Sequence, residues 1–286
     1  MGFFRGLGEL RHRYRQHPLP SSLHGLARAV WKISAKPLLK IGEYFLARVQ
    51  GFGFPPGSGW ARDMWKLDML LGLYEQDTVA LCTRIISPGM TVLDVGAHIG
   101  YFTRLFAKMV GAQGKVYAFE PHPENVRLLR GNVSPFSNVV ILNKAVSDKK
   151  GIGNLFVSPS TKSSSHSLFR QQHTITSARI EVVTLDEFWE EIGRPQIDLI
   201  KMDIEGAEPN ALKGARGLFC QHEHIILITE FCPANLRSGG IEPEEVLELL
   251  SDLGFRYSVI GPHGNVFSEL PRLGGDEYVN LFCEKS

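Results

Sequence analysis

The sequence lacks the features of a secreted or membrane-spanning protein. Its four cysteines lie far apart and form no CxxC pair: Cys82, Cys220, Cys232 and Cys283. This spacing argues against a zinc site or a disulfide framework and predicts reduced thiols in a cytoplasm-like compartment. There is no run of about 18 apolar residues, so a spanning helix is not expected. The basic N-terminus also lacks an apolar block followed by a small-residue cleavage site, which argues against a secretory signal.

An excess of charge of one sign is missing as well. The 286 residues contain 31 Lys and Arg against 30 Asp and Glu, and the formal net charge is +1. This balance gives no general attraction to nucleic acid, and we expect no nucleic-acid partner. The hydrophobic fraction of 43% is typical of a soluble globular enzyme. Length and composition together predict one large domain with additions.

The basic residues are concentrated at the N-terminus. Residues 1–50 carry nine Lys or Arg and two acidic residues, and an apolar stripe lies beside Arg28 and Lys32, made of Leu23, Leu26, Ala27, Val30 and Trp31. Three interpretations stay open: a helical cap, a disordered arm, or a peripheral contact with a membrane surface or an acidic partner. A Gly/Pro stretch, "GFGFPPGSG", follows. We therefore predict a basic, partly helical arm over 1–60 and a main domain over 61–286.

Strand and helix patterns alternate through the main domain. Short apolar runs predict strands that are buried on both faces of a mostly parallel sheet, at 91–95, 115–119, 139–142, 197–202 and 224–230, with a closing antiparallel pair at 255–260 and 278–283. The intervening segments have helical spacing, at 64–75, 77–86, 101–110, 123–131, 208–216 and 242–253. The pattern indicates an α/β protein with helices on both faces of one sheet.

One interval breaks this alternation. Residues 151–186 contain a Ser-rich stretch, "SPSTKSSSHS", followed by "ARIEVVTLDEF". The second segment alternates as a strand does, which predicts a small, two-stranded β insertion with a loop at its tip. Loops placed in this way often cover a site.

The turn after the first predicted strand indicates a ligand site. "TVLDVGAHIGYFT" places Asp94 inside the strand and glycines at Gly96 and Gly100 before a helix. A dinucleotide fingerprint would need a third glycine where His98 stands, and the His98 side chain crowds the approach of a pyrophosphate. The backbone N–H groups of the turn and of the helix N-terminus would instead accept a carboxylate, and Asp94 could pair with an ammonium.

The second strand supports the same ligand. It ends in "VYAFEP", so that Glu120 lies at its carboxyl end and Pro121 turns the chain outward. An acid at this place can accept hydrogen bonds from both hydroxyls of a ribose. S-adenosylmethionine has the carboxylate, ammonium and ribose that these residues fit.

These motifs carry a family resemblance. "VLDVGAHIGYFT", "AFEPHPENVRLLRGN", "NKAVSD", "VTLDEF" and "DLIKMDIEGAEPNALKGA" resemble, in order and spacing, the FkbM family of S-adenosylmethionine-dependent methyltransferases, over roughly residues 65–285. The resemblance implies a class I, Rossmann-like methyltransferase fold with a seven-stranded, mostly parallel sheet and a reversed last strand. It also implies methyl transfer to a hydroxyl, often on a sugar, glycan or secondary metabolite.

Both the turn and the resemblance assign site residues. The cofactor residues are expected to be Asp94, Gly96, His98, Gly100, Tyr101, Phe102, Glu120 and Pro121, with Ala145 and Val146 beside the adenine. The candidates for positioning the acceptor and removing its proton are Asp203, Glu205 and His166. Asp203, Glu205 and a nearby acid such as Glu230 raise the question of a Mg²⁺ site, but because no clustered D-x-D pattern is present, we predict no metal.

Other functions stay open at this point. An N-methyltransferase or an RNA methyltransferase would share the fold, although no basic groove with interleaved aromatic residues is visible. A catalytically silent scaffold, with an N-terminal arm that binds a membrane or a partner, would keep the same cofactor turn. The sequence carries no signal for oligomeric state.

Overall fold

A computed structural model describes residues 52–54, 68–69, 72–157, 166–167 and 175–285. One compact unit runs from Asp77 onward apart from 161–163, and the described residues before Asp77 belong to a second unit. The predicted arm over 1–60 and the predicted helix over 64–75 fall mostly outside the described residues, so both stay predictions. No helix in the described part of the chain is long and apolar enough to cross a membrane.

The described part of the compact unit contains eight α-helices, one 3₁₀ turn and twelve strands. The helices are α1 (Gln76–Ile85), α2 (Tyr101–Val110), α3 (Pro123–Val133), α4 (Leu185–Glu191), α5 (Glu208–Lys213), α6 (Arg216–Gln221), α7 (Pro233–Ser238) and α8 (Pro243–Asp252), and the 3₁₀ turn is Pro262–Gly264. The strands are β1 (Thr91–Val95), β2 (Lys115–Phe119), β3 (Val139–Leu142), β4 (Lys144–Val146), β5 (Gly151–Val157), β6 (His166–Ser167), β7 (Ile175–Val183), β8 (Leu199–Met202), β9 (Ile226–Phe231), β10 (Phe255–Ile260), β11 (Val266–Phe267) and β12 (Val279–Lys285).

The main sheet has the strand order β11-β10-β12-β9-β8-β1-β2-β3. Strands β9, β8, β1, β2 and β3 pair in parallel, and β12 runs antiparallel to both β9 and β10. This confirms the α/β, Rossmann-like fold and the reversed last strand. The short β11 adds an eighth strand to the seven that the sequence predicts. The order places β1 between β2 and β8, so their carboxyl ends meet at one edge.

The central strands are buried because helices cover both faces of the sheet. Val92, Leu93 and Ile200 have no exposed surface. Continuous apolar runs suit such strands, whereas a strand with one wet face would alternate. Two charged residues interrupt these runs, Asp94 in β1 and Lys201 in β8, and they are opposite each other in the strand register.

The predicted two-stranded insertion is wrong in its extent. The smaller sheet has four strands in the order β4-β7-β5-β6. Strand β4 follows the third strand closely in the sequence, but it pairs in parallel with β7. The pairing is extended by a hydrogen bond from Ser147 N to Val183 O, and Lys144 Nζ lies 2.7 Å from Glu181 Oε1.

The predicted helix over 208–216 is also wrong in its extent. It is two short helices, α5 and α6, separated near Gly214. A Cβ atom on Gly214 would lie 2.1 Å from the carbonyl oxygen of Ser147. The end of α5 therefore packs directly against the backbone that follows β4, and only glycine leaves room for this contact.

A buried amide ties β3 to the end of α2. Asn138 is 8% exposed, and its Nδ2 donates hydrogen bonds to the carbonyl oxygens of Ala107 (2.9 Å) and Gly111 (2.8 Å). The last carbonyls of a helix have no partner inside the helix, so a side chain that reaches them satisfies groups that would otherwise be buried unpaired.

We predict that Asn138→Leu lowers the free energy of unfolding by about 1–3 kcal/mol, because it leaves buried carbonyl groups without a donor. Urea denaturation followed by circular dichroism measures this loss. Ser137→Ala, at the exposed neighbouring position, is the control and should change stability by less than about 0.5 kcal/mol. Equal stability of the two variants would contradict the role of Asn138.

Candidate active site

The glycine turn after β1 is fixed to β2 by its backbone. Gly96 N and Ala97 N both donate to the carbonyl oxygen of Phe119, at 3.0 and 2.9 Å, and Gly100 N donates to Ala97 O at 2.8 Å. Gly96 and Gly100 have φ angles of 88° and 89°. His98 also has a positive φ angle, 52°, which is uncommon for a residue with a side chain.

The glycines of the turn are required by close contacts. A Cβ atom on Gly96 would lie 1.9 Å from the backbone oxygen of Asp203, at the end of β8, and one on Gly100 would lie 2.6 Å from Leu129 Cδ1. The turn is therefore pressed against β8 on one side and α3 on the other. Close packing alone accounts for both glycines, so they do not by themselves demonstrate a ligand site.

Asp94 is buried beneath the turn and holds the start of α2. It is 1% exposed, and Thr103 Oγ1 donates to its Oδ2 at 2.5 Å. Burial raises the pKa of Asp94, while the ammonium of Lys201 and hydrogen bonds from the Thr103 hydroxyl and backbone oppose that rise. Asp94 therefore positions the helix N-terminus that the sequence assigns to the cofactor.

Glu120, at the carboxyl end of β2, is 4% exposed and accepts three hydrogen bonds. Its Oε2 accepts from His98 N at 2.8 Å, and its Oε1 accepts from His122 N at 2.8 Å and from Asn125 Nδ2 at 3.3 Å. Burial outweighs these bonds and raises the pKa of Glu120 to about 7. Because a carboxylate has about four acceptor positions, Oε2 can still accept a hydrogen bond from a ligand hydroxyl.

His98 and the first residues of α2 complete the wall of the turn. His98 is half-buried, and burial lowers its pKa to about 4, so the imidazole is neutral near pH 7. The rings of Tyr101 and Phe102 pack edge to face with their centroids 5.4 Å apart. A neutral imidazole can donate or accept one hydrogen bond without carrying a charge.

Asn143, between β3 and β4, fixes the backbone at Glu120. Asn143 Nδ2 donates to the carbonyl oxygens of Glu120 (2.9 Å) and Pro121 (2.8 Å). The next residues, Ala145 and Val146, are buried at 5% and 2% exposure. Val146 belongs to the main core and Ala145 to the core of the smaller sheet. Their predicted contact with adenine stays a prediction.

Lys201 connects the turn to the predicted acceptor side. It is 3% exposed, its Nζ lies 3.1 Å from Asp203 Oδ2, and the same ammonium lies 4.4 Å from the centroid of the Phe102 ring. Lys201 also carries the positive charge that faces Asp94.

The "DIEGAE" segment holds its carboxyl groups with individual partners. Glu205 has a φ angle of 56° and accepts a hydrogen bond from Asn235 Nδ2 at 3.0 Å. Glu208, at the start of α5, is 2% exposed and accepts from Ile204 N at 2.8 Å. Burial raises the pKa of Glu208 to about 8, and the charges of Asp203 and Glu205 add to the rise.

Glu230 adds a fourth carboxyl group to those of Asp203, Glu205 and Glu208, and these four residues form an acidic cluster. It lies near the end of β9, the strand beside β8. Burial raises its pKa well above the usual range, and the charges of Asp203, Glu205 and Glu208 raise it further. Four acidic side chains therefore act on one another at the carboxyl ends of two adjacent strands. Even so, no group of three or more His, Cys, Asp or Glu side chains in the described ranges is arranged to hold a metal ion.

His166 lies in the two-residue strand β6, at the edge of the smaller sheet, where it pairs with Val157. The sequence predicts that His166 lies in a Ser-rich loop. This prediction is wrong, because the backbone of His166 forms a strand. The catalytic role of His166 stays a prediction.

The sequence analysis missed several residues that shape the site. Thr103 holds Asp94, Asn125 and Asn143 fix Glu120, and Glu208 belongs to the acidic cluster. The sequence raises Glu230 only in connection with a metal, although this residue ends an apolar strand as Glu120 does. The amides gave no such signal, because Asn is common on helices and in turns.

Residues 94–257, which contain these groups, match the family model described as "Methyltransferase FkbM domain". The Hexuronic acid methyltransferase AglP of Haloferax volcanii is 26% identical over 208 residues, covering 72% of this chain and 80% of that protein. The 2-O-methyltransferase NoeI of Sinorhizobium fredii is 27% identical over 177 residues, covering 57% and 72%. A solved structure of a SAM-dependent methyltransferase from Aquifex aeolicus is 22% identical and covers 70% of this chain and 85% of that chain, with a TM-score of 0.39. Since the family match spans more than half of the sequence, the chain belongs to the FkbM family and is an S-adenosylmethionine-dependent methyltransferase.

Proposed function

We propose that this enzyme methylates a hydroxyl group of a sugar, as a free sugar or within a glycan. The observation that carries the proposal is the acidic cluster of Asp203, Glu205, Glu208 and Glu230 beside the glycine turn. Carboxylates accept hydrogen bonds from several hydroxyl groups at once, which suits a polyol. The names of the two relatives, one acting on a hexuronic acid and one a 2-O-methyltransferase, support the same acceptor class.

We also propose which residues hold the cofactor. They are Asp94, Gly96, His98, Gly100, Tyr101, Phe102, Glu120 and Pro121, with Ala145 and Val146 on the adenine side. The buried Glu120 carboxyl supports this assignment, because it keeps an acceptor position at Oε2 for a ribose hydroxyl. When bound, S-adenosylmethionine supplies a methyl group made electrophilic by its sulfonium. The protein therefore has mainly to align an acceptor and manage its proton.

Asp203 and Glu205 are proposed to position the acceptor. Asp203 follows β8 directly, and its backbone oxygen contacts the glycine turn. Glu205 is held toward α7 by Asn235. Two fixed carboxylates can orient neighbouring hydroxyls of one sugar ring, which is the alignment that the reaction requires.

The domain division stays part of the proposal. Residues 1–60 would form the basic arm, and residues 61–286 the methyltransferase domain, with 151–186 over the acceptor side. The cysteine spacing supports a cytoplasmic location, and the basic residues and apolar stripe of residues 1–50 support a peripheral membrane contact.

Gly96 and Gly89 form a matched pair for testing the turn. Their φ angles are 88° and 93°, but a Cβ atom on Gly89 would meet nothing within 4 Å. Each substitution by Ala costs about 1–2 kcal/mol of backbone strain. We predict that only Gly96→Ala also weakens S-adenosylhomocysteine binding, by more than about tenfold. The added Cβ atom displaces the turn, and a loss of about 1.4 kcal/mol of binding free energy is enough for a tenfold effect. Isothermal titration calorimetry measures this, and an equal effect at Gly89 would contradict it.

The raised pKa of Glu120 predicts pH-dependent binding of the cofactor. In the free protein Glu120 is protonated below about pH 7. A ribose diol donates to the carboxylate, so binding at lower pH must release that proton. The dissociation constant of S-adenosylhomocysteine should rise by up to about tenfold per pH unit below the pKa and stay level above it. His98 is neutral throughout that range.

Calorimetry at about pH 6, 7 and 8 tests this slope. Glu120→Gln should bind weakly with little dependence on pH, because it has no proton to release. A slope of the same size in Glu120→Gln would assign the pH dependence to another group.

The acceptor class is tested by incubating the enzyme with S-adenosylmethionine and a panel of neutral hexoses, hexuronic acids and amines, with mass spectrometry of the products. We expect a methyl ether that survives mild base, which would hydrolyse a methyl ester of a uronic acid. Asp203→Asn should lower the rate by about 10- to 1,000-fold through lost alignment. Asp252→Asn, an exposed change at the end of α8, should not. Methylation of amines alone would overturn the proposal.

A further inference from the structure

Glu230 lies beside Asp203, one of the proposed acceptor-positioning residues, at the carboxyl end of the neighbouring strand. Strands β8 and β9 are parallel, with Met202 opposite Thr229. The residues that follow this pair are Asp203 and Glu230, so both lie at the sheet edge where the glycine turn leaves β1. In open α/β sheets, ligands bind beyond the carboxyl ends of the strands.

The other three carboxyl groups of the acidic cluster already have partners that fix them. Asp203 pairs with Lys201 at 3.1 Å, and Glu205 accepts a hydrogen bond from Asn235 at 3.0 Å. Glu208 accepts from the Ile204 backbone at 2.8 Å. These bonds occupy acceptor positions of the three carboxyl groups and hold the side chains in place.

Glu230 differs from these three. Its Oε2 atom is buried, and it has no hydrogen-bond partner among the residues that the structure describes. Buried polar atoms in proteins are nearly always hydrogen-bonded, so an exception calls for an explanation by a ligand, a water molecule or a catalytic role. A donor from a bound acceptor would supply the missing bond.

The surroundings of Glu230 also favour uptake of a proton. Burial raises its pKa, and the negative charges of Asp203, Glu205 and Glu208 add to the rise, with a smaller contribution from Cys232. The nearby ammonium, Lys201, is paired with Asp203. A carboxylate whose pKa is raised binds a transferred proton more strongly than one with the usual pKa.

We propose that Glu230 is the general base that takes the proton of the acceptor hydroxyl, an inference that rests on the proposed O-methylation. The O–H bond breaks and its proton goes to Glu230 Oε2, while its electron pair remains on oxygen. The oxygen forms its new bond to the methyl carbon with a lone pair, and the electrons of the broken C–S bond stay on sulfur. Asp203 and Glu205 then act as positioning residues.

Glu230→Gln tests the assignment, because it keeps the shape and hydrogen-bonding ability of the side chain but removes the base. With a sugar that the wild type methylates, kcat should fall by about 10²- to 10⁴-fold, and KM should change by less than about threefold. With S-adenosylmethionine kept saturating at every pH, the rise of kcat/KM for the sugar with pH should disappear in the variant. Glu223→Gln is the control, since Glu223 is exposed and precedes β9 at the opposite edge of the sheet.

A second measurement does not depend on the acceptor. In protein saturated with S-adenosylhomocysteine, the infrared difference between wild type and Glu230→Gln isolates one carboxyl band. The band of the protonated acid should persist well above the usual pH range of a glutamic acid. Calorimetric binding of S-adenosylhomocysteine and thermal unfolding should be unchanged in the variant, which shows that it is folded and loaded.

The outcomes separate the two claims. If sugars are methylated and Glu230→Gln keeps its kcat and its pH profile, the assignment of Glu230 is overturned and the proposed function stands. An infrared band that disappears at the usual pKa of a glutamic acid would also overturn the assignment. If the wild type binds the cofactor but methylates no hydroxyl, the proposed function fails, and the base has no proton to take.

Discussion

A single buried ammonium, Lys201, stabilises both halves of the site. It pairs with Asp203 at 3.1 Å, and it also opposes the rise that burial causes in the pKa of Asp94, the residue that holds the start of α2. Two carboxyl groups in a nearly dry interior would repel each other and resist ionisation without a cation between them. Removing one member of such a buried group leaves the others uncompensated, at a cost of several kcal/mol. The cofactor turn and the acidic cluster therefore depend on the same charge.

The arrangement also explains why carboxyl groups so close together can have different chemical properties. Asp203 has an ammonium, Glu205 has an amide, and Glu208 has a backbone donor. The pKa of Glu230 is raised by burial and by the charges of the other three carboxyl groups. Environments that separate the pKa values of neighbouring acids are a common means of assigning different roles to identical side chains. The neutral His98 beside Glu120 adds polarity to the turn without adding charge.

The sequence was sufficient for the main sheet and for the residues that follow its strands. Continuous apolar runs identify β1, β2 and β8, and Asp94, Glu120 and Asp203 could be placed from them. It was not sufficient for β4, because a three-residue strand has no periodicity and the residues of β7 that pair with it are 37 positions further along the chain. Nor could it reveal the positive φ angles of His98 and Glu205, since these depend on contacts with other strands. The hydrogen-bond and ion-pair partners of each carboxyl group likewise depend on tertiary contacts.

The smaller sheet is joined to the main domain by two single residues. Asn143 separates β3 from β4, and Thr184 separates β7 from α4. Both connectors are bonded, Asn143 to the backbone after β2 and Thr184 to the first turn of α4. Insertions or deletions between β5 and β7 leave these two joints intact. A change of chain length between β5 and β7 would therefore leave the cofactor end of the main sheet unaltered.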